Sequence, residues 1–246
     1  MDIKISIVTV TYNSDKYIKN TLDSILNQQD FLYEYWIIDG GSKDKTIDIV
    51  KTYVPDFNGK LKYISEKDEG IYDAMNKGIS LASGNVIGIV NSDDYYNDFT
   101  LSKVNEAFSN NSNIGCLFSD AISIDKDGND KGILKSSIDG LKYGMALMHP
   151  TCFVRADVYK KIGLYNTKFK IAADYDFGMR MKNNEILMVK CNYPLTKFRE
   201  GGASVKNQRI GMKDTYSIQK QYIGTIWAIF IYLKASIRLL IKGSTF

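Results

Sequence analysis

The stretch "VIGIVNSDD", residues 86 to 94, carries a run of small and branched apolar side chains straight into a polar end. Val86, Ile87, Gly88, Ile89 and Val90 read as a strand buried on both faces, since no polar residue alternates with them. Asn91, Ser92, Asp93 and Asp94 arrive where that strand must stop. Alone, "SDD" reads as a turn closed by an Asx cap. The rest of the chain changes that reading.

Strand and helix periods alternate through the first hundred residues. "ISIVTV" (5–10) is a buried strand, and Ser14 opens a helical pattern with Ile18, Leu22, Ile25 and Leu26 on one face. "YEYWIID" (33–39) is the second strand, followed by a helix with Ile47, Val50 and Val54 inward, and "KLKYISE" (60–66) is the third. Ile71, Ala74, Met75, Gly78, Ile79 and Ala82 then form one helical stripe, with Gly84 placed to cap its C-terminus. Strands separated by helical crossovers predict an α/β fold, with a mostly parallel sheet covered on both faces.

In such sheets ligands sit outside the carboxyl ends of the strands, at a topological switch point. The residues leaving these strands are Thr11-Tyr12-Asn13, Asp39 to Ser42, Glu66 with Asp68, and Asn91 to Asp94. Four strand ends thus deliver polar, mostly acidic groups to one edge, which is expected to be the site. Further on, Leu101, Val104 and Phe108 mark a helix, and "IGCLFSDAISID" reads as a strand closed by a hairpin turn around Gly128. "HPTCFV" (149–154) leads to a short helix ending near Gly163. "AADYDFGMRM" (172–181) opens another helix, with Asp174 in its first turn. No linker or boundary precedes about residue 205.

The chain has 246 residues, 44% of them apolar and 12% aromatic, enough for one large domain with or without a tail. Its +4 charge is uneven: residues from Lys206 onward hold seven basic groups against Asp214, so the tail is +6 and the body −2. A slightly acidic body is not the basic working face of a nucleic-acid binder, and none is expected as a partner. Cys116, Cys152 and Cys191 form no C-x-x-C pair, so they read as reduced core thiols of a cytoplasmic protein. "MDIKISIVTV" has an early acid and an apolar stretch too short for a signal peptide, so export is not expected.

In order and spacing, "TVTYNS", "IIDGGSKDKT", "SEKDEGIYDAMNKGI", "NSDD", "IAADYDF" and "GGAS" resemble family 2 glycosyltransferases of the GT-A fold, over roughly residues 3 to 205. The 65–79 block looks like bacterial enzymes that build O-antigen or capsule repeat units. The resemblance implies a donor half at about 1–98, an acceptor half at about 99–205 and a helical tail at 206–246. It implies a UDP-sugar donor whose diphosphate is clamped by Mn2+ or Mg2+, with Asp93 as metal ligand and Asp94 supporting it. The commoner family pattern has Asp at position 91; Asn91 still offers a hydrogen bond to a ribose hydroxyl, beside Ser92.

By the same resemblance Asp39 accepts from the uracil ring and Tyr12 flanks the base, with Thr11 and Asn13 lining that pocket. Tyr12 also reads as a core aromatic. Asp68 and Asp73 fall near the ribose or sugar, though Asp73 also reads as a solvated helix residue. Asp174 is the expected base of an inverting transfer, with Asp176 next. His149, the one histidine, reads equally as a structural hydrogen-bonder and as a group near donor or acceptor, and Gly201, Gly202 and Ser204 resemble a loop closing near the phosphates. The implied reaction moves a hexose, glucose before galactose, to an N-acetylhexosamine on undecaprenyl diphosphate, forming a β linkage.

Two rivals stand beside it. A nucleotide-sugar pyrophosphorylase needs a Gly-rich G-x-G-x-R loop where this chain has "TYNSDKY". A non-catalytic sugar-nucleotide binder at the membrane needs no base. In the tail, "YIGTIWAIFIYL" (222–233) is too short to span a bilayer, while Lys234, Arg238 and Lys242 recur every four residues. That pattern predicts a helix lying in the cytoplasmic face of the cell membrane, or else one packed on the body or in a homodimer.

Overall fold

The computed structural model describes residues 2–202, 205 and 207–243. Four parallel strands come first: β1 (Ile5–Thr11), β2 (Leu32–Asp39), β3 (Leu61–Ser65) and β4 (Val86–Asn91). Three helices connect them, α1 (Ile18–Leu26), α2 (Thr46–Tyr53) and α3 (Ile71–Leu81). There follow β5 (Tyr95–Tyr96), α4 (Thr100–Asn110), β6 (Cys116–Ile124), β7 (Asp130–Leu134), β8 (Phe153–Arg155), α5 (Ala156–Ile162), α6 (Ala173–Asn183) and β9 (Met188–Arg199). Two C-terminal helices, α7 (Gln208–Ile223) and α8 (Thr225–Gly243), end the described chain.

The sheet order is β3-β2-β1-β4-β8-β6-β9-β5, with β7 paired to β6. β8 runs antiparallel to both β4 and β6, and β6 pairs parallel with β9, so the long strands share one direction. Their carboxyl ends therefore meet at one edge. Alternation splits the buried side chains between two layers: Ile5 and Ile7 face α1, α2 and α4, while Val8 and Val10 face α3, α5, α6 and α7. Gly78 lets α3 lie directly on β1, since a Cβ there would collide with a Val8 methyl.

Several boundaries differ from the sequence reading. α1 begins at Ile18, not Ser14; the Ser14 carbonyl accepts from the Tyr17 and Ile18 N–H groups in a preceding turn. Gly84 is not the cap of α3. The helix ends at Leu81 with extended Ala82 behind it, and Gly84 is small because its backbone presses on β1, donating to Ser6 Oγ at 2.9 Å. β9 was not foreseen, because Pro194 and a shift of register between Ser119 and Ala121 break its period. The three cysteines form no disulfide.

α7 is packed onto the body. Ile218 and Gln219 are buried, Gln219 Nε2 donates to the Tyr143 carbonyl at 3.0 Å, and the Ile171 N–H donates to Asp214 Oδ2 at 2.8 Å. α8 folds back on α7, with Tyr216 and Tyr232 rings 5.4 Å apart, and leaves Ile226, Trp227, Phe230, Leu233 and Ile237 exposed. Among the described residues, no helix is long and apolar enough to cross a membrane.

Candidate active site

The ends of β1 and β4, the start of α6 and the inner face of α7–α8 enclose a cleft of about 1200 Å³. Of the residues expected at the site, Thr11, Tyr12, Asn13, Asp68, Asn91, Ser92, Asp93, Asp94, His149 and Asp174 all line it. Gly201 and Gly202 line it too, while Ser204 lies outside the described residues.

The β1 end is held by a turn in which Asn13 has a left-handed backbone, φ 49°, which asparagine tolerates. Its N–H donates to Ser42 Oγ and its Oδ1 accepts from the Lys43 N–H, both at 2.8 Å. Those bonds tie the turn to the loop after β2 and push Tyr12 outward. Tyr12 is 61% exposed, so it is a cleft-lining aromatic and not a core one.

Asp39 is not in the cleft wall. It is fully buried, and its carboxylate accepts from the N–H groups of Gly41 and Ser42 and the hydroxyls of Ser42 and Ser65. In this geometry Asp39 shapes the β2 loop from below. Asp73 also stays out, accepting from the Glu69 N–H and pairing with Lys77, which bridges to Glu66. Asp176 is buried against Arg180 at 2.8 Å, which makes it part of the packing of α6.

Asp94 is buried beside Asp93. Burial, and then the Asp93 charge, pushes its carboxyl well above the usual carboxylate range. Asp94 Oδ1 accepts from the Arg199 N–H at 2.9 Å and Oδ2 from Asn91 Nδ2 at 3.2 Å. Asn91 Oδ1 and Thr11 Oγ1 are buried at this edge without hydrogen-bond partners among the described residues. Two adjacent carboxyls and an orphaned amide oxygen are the oxygen donors that Mg2+ or Mn2+ takes, with one or two carboxylates and the rest from water or phosphate. The residues present fit such an ion. No group of three or more His, Cys, Asp or Glu that could hold a metal ion occurs among the described residues, so these carboxyls leave most of an ion's coordination to water or phosphate.

Across the cleft, Asp174 sits in the first turn of α6 with its Oδ1 accepting from the Tyr72 hydroxyl and the Tyr175 N–H, each at 2.9 Å. His149 Nε2 and the Tyr165 hydroxyl are 2.9 Å apart. Burial lowers the His149 imidazole below its usual value, against an opposing pull from Asp174. His149 therefore stands in the wall as a neutral, hydrogen-bonded group.

Sequence reasoning missed Tyr72, Arg199 and Asp214. Tyr72 lies inside the quoted 65–79 block next to Asp73, whose reading as a solvated helix residue the structure matches. Arg199 has no motif; its guanidinium donates to the carbonyls of Asp93, Asp125 and Lys126. Asp214 stands out in the sequence only as the lone acid among seven basic residues of the tail, and its bond to the Ile171 N–H has no sequence signal.

A mostly parallel α/β sheet whose strand ends deliver acidic residues to one cleft is the arrangement of the GT-A fold. The chain belongs to glycosyl transferase family 2, whose profile matches residues 6–183. It is 30% identical over 186 residues to the "PGL/p-HBAD biosynthesis glycosyltransferase" of Mycobacterium tuberculosis, covering 75% of this chain and 72% of the relative. Solved structures share the fold. S. aureus TarS 1–349 in complex with UDP-GlcNAc superposes with a TM-score of 0.71 at 22% identity, over 88% of this chain and 64% of that one. This chain thus spans a little under two thirds of TarS 1–349. The mannosyltransferase PcManGT from Pyrobaculum calidifontis, in complex with GDP-Man and Mn2+, superposes at 0.70 with 14% identity, over 100% and 76%.

Proposed function

We propose that this glycosyltransferase is an inverting, divalent-metal-assisted hexosyltransferase using a UDP-sugar, glucose before galactose. Its acceptor is an N-acetylhexosamine on a polyprenyl diphosphate at the inner face of the bacterial membrane, in O-antigen or capsule assembly, and the linkage formed is β. The observation that carries the reading is that Asp93, from the β4 end, and Asp174, from α6, wall the same cleft. A nucleotide-sugar complex of TarS and the Mn2+ complex of PcManGT support the donor and the ion.

In this reading Tyr12 flanks the base with Thr11 and Asn13 lining that pocket, Asp68, Asn91 and Ser92 lie near the ribose and sugar, and His149 lies near donor or acceptor. Asp93 would hold the ion, with Asp94 and Asn91 as the neighbouring oxygen-bearing groups. When bound, that ion supplies Lewis-acid stabilisation of the leaving diphosphate. Asp174 takes the proton of the acceptor hydroxyl as its oxygen bonds to the anomeric carbon and the carbon–phosphate oxygen bond breaks. Direct displacement from the opposite side inverts that carbon. The exposed apolar side of α8 and its basic positions support a membrane location.

The test is nucleotide release and product mass from a panel of UDP-sugars with Mn2+, with and without lipid-linked acceptor. Asp174→Asn is expected to lose transfer by about 10²–10⁴-fold with nucleotide affinity intact. Asp93→Ala is expected to lose Mn2+-dependent nucleotide binding as well. Wild-type turnover in Asp174→Asn overturns the mechanism.

A further inference from the structure

Tyr72 has one hydroxyl hydrogen and two acceptors for it: the Ile171 carbonyl at 2.8 Å and Asp174 Oδ1 at 2.9 Å. The residue is 7% exposed, its ring packed against Tyr165 with centroids 5.6 Å apart, so the phenol is held in place with its hydroxyl between these two acceptors. From α7, Asp214 Oδ2 accepts the Ile171 N–H at 2.8 Å and fixes the peptide bearing the second acceptor. Both bonds to Asp174 fall on Oδ1, so Oδ2 of this cleft-lining residue carries no hydrogen bond among the described residues.

We infer that Tyr72 is a positioning residue for Asp174, whose single hydrogen follows the charge of that carboxylate; this rests on the reading of Asp174 as the base. With Asp174 ionised, the hydrogen lies on Oδ1, because a bond to a charged acceptor is roughly twice as strong as one to a carbonyl. It locks the side chain with Oδ2 toward the acceptor hydroxyl. When Oδ2 takes the acceptor's proton, Asp174 becomes neutral and the Tyr72 hydrogen passes to the Ile171 carbonyl. No proton leaves Tyr72 at any point; its O–H bond only rotates. The lost bond is replaced within the same turn, so holding the base in place does not oppose its protonation. Burial, and then the Asp174 charge, pushes the Tyr72 phenol well above its usual value, so it stays a donor. Ionisable groups around the pair include Asp214, on the Ile171 N–H, and His149 and Tyr165, which bond to each other.

The experiment compares Tyr72→Phe, Asp174→Asn and the double variant for kcat, donor KM and nucleotide affinity. Phe keeps the ring, and unchanged nucleotide affinity reports an intact donor side. Tyr72→Phe is expected to lower kcat about 10- to 100-fold with donor KM and nucleotide affinity within twofold. In the Asp174→Asn background the same substitution is expected to cost nothing further, since its effect runs through the carboxylate. A merely structural Tyr72 would lower both backgrounds by one factor. Equal factors, or a Tyr72→Phe kcat within twofold of wild type, overturn the inference while a dead Asp174→Asn leaves the base reading standing. An active Asp174→Asn overturns both.

Discussion

The backbone N–H of Arg199 donates to Oδ1 of Asp94 at 2.9 Å, fastening the end of β9 to the loop leaving β4. The two residues are 105 positions apart in sequence. The same arginine closes the corner with its side chain, donating to the carbonyls of Asp93, Asp125 and Lys126 and stacking 4.4 Å from the Tyr17 ring centroid. Arg199 is 4% exposed, so its removal leaves buried carbonyls unpaired. Arg199→Ala is expected to destabilise the fold by about 2–4 kcal/mol. Arg199→Lys should recover less than half of that, because an ammonium cannot reproduce the planar fork. Urea unfolding measures both; a lysine variant as stable as wild type would refute the bonding scheme.

Glu34 is the second buried corner. Burial alone would raise its carboxyl, but the Ser83 N–H and the hydroxyls of Ser6 and Ser83, helped by Lys62, overturn that and hold it at about 2, below an ordinary 4.5. A depressed folded-state value stabilises the protein above the unfolded value and ceases to do so as pH falls through the folded one. The contribution, on the order of 2–3 kcal/mol, is therefore complete above about pH 4.5 and drains away between about 4.5 and 2. Glu34→Gln should melt well below wild type at pH 7, and the two curves should converge near pH 2. A gap that persists undiminished at low pH would count against this account.

The donor-side sheet could be read from the chain because its strands are buried on both faces and its helices carry one apolar stripe each. Periodicity reports those two conditions directly. It failed where structure is set by distant pairing: β9 takes its place from β6, and its half-exposed residues and Pro194 show no period. At the site, acids next to strand ends were legible as a group but not individually. Asp73 and Asp68 look equivalent in the sequence, yet a helix turns the first toward Lys77 while the second lines the cleft. Asp39 shows the same limit, since only coordinates reveal that its own loop occupies its oxygens. The carboxyl-end rule found the edge; side-chain direction decided membership.

α8 presents two faces of different character. Ile231, Tyr232 and Ala235 line the cleft, while Trp227 and Phe230, 64% and 61% exposed, point away with Ile226 and Leu233. Lys234 lies on the helix, and the sequence places Arg238 and Lys242 further along it. Such a face suits an anionic bilayer surface, where each cation contributes about 1 kcal/mol. Trp227→Ser with Phe230→Ser is expected to weaken cosedimentation with anionic vesicles by about tenfold or more. Sedimentation velocity of the same proteins checks the competing explanation: a wild-type dimer that the double variant breaks, with vesicle binding unchanged, would assign the face to self-association.

Asn91 offers a direct reading of the acidic pair. Its Nδ2 donates to Asp94 Oδ2 at 3.2 Å while its Oδ1 is buried without a partner. Asn91→Asp replaces that donor with a third carboxyl beside Asp93 and Asp94, so in chelator the variant should lose about 1–3 kcal/mol through like-charge repulsion and an unpaired Asp94 oxygen. A divalent ion held between Asp93 and position 91 reverses the sign, because it meets one more negative oxygen and stabilises the folded state by mass action. The Mn2+-induced rise in Tm is therefore expected to be larger for Asn91→Asp than for wild type, in the absence of any nucleotide. If Mn2+ moves both proteins equally, the amide oxygen does not face the ion and the β4 end holds it, if at all, through Asp93 alone.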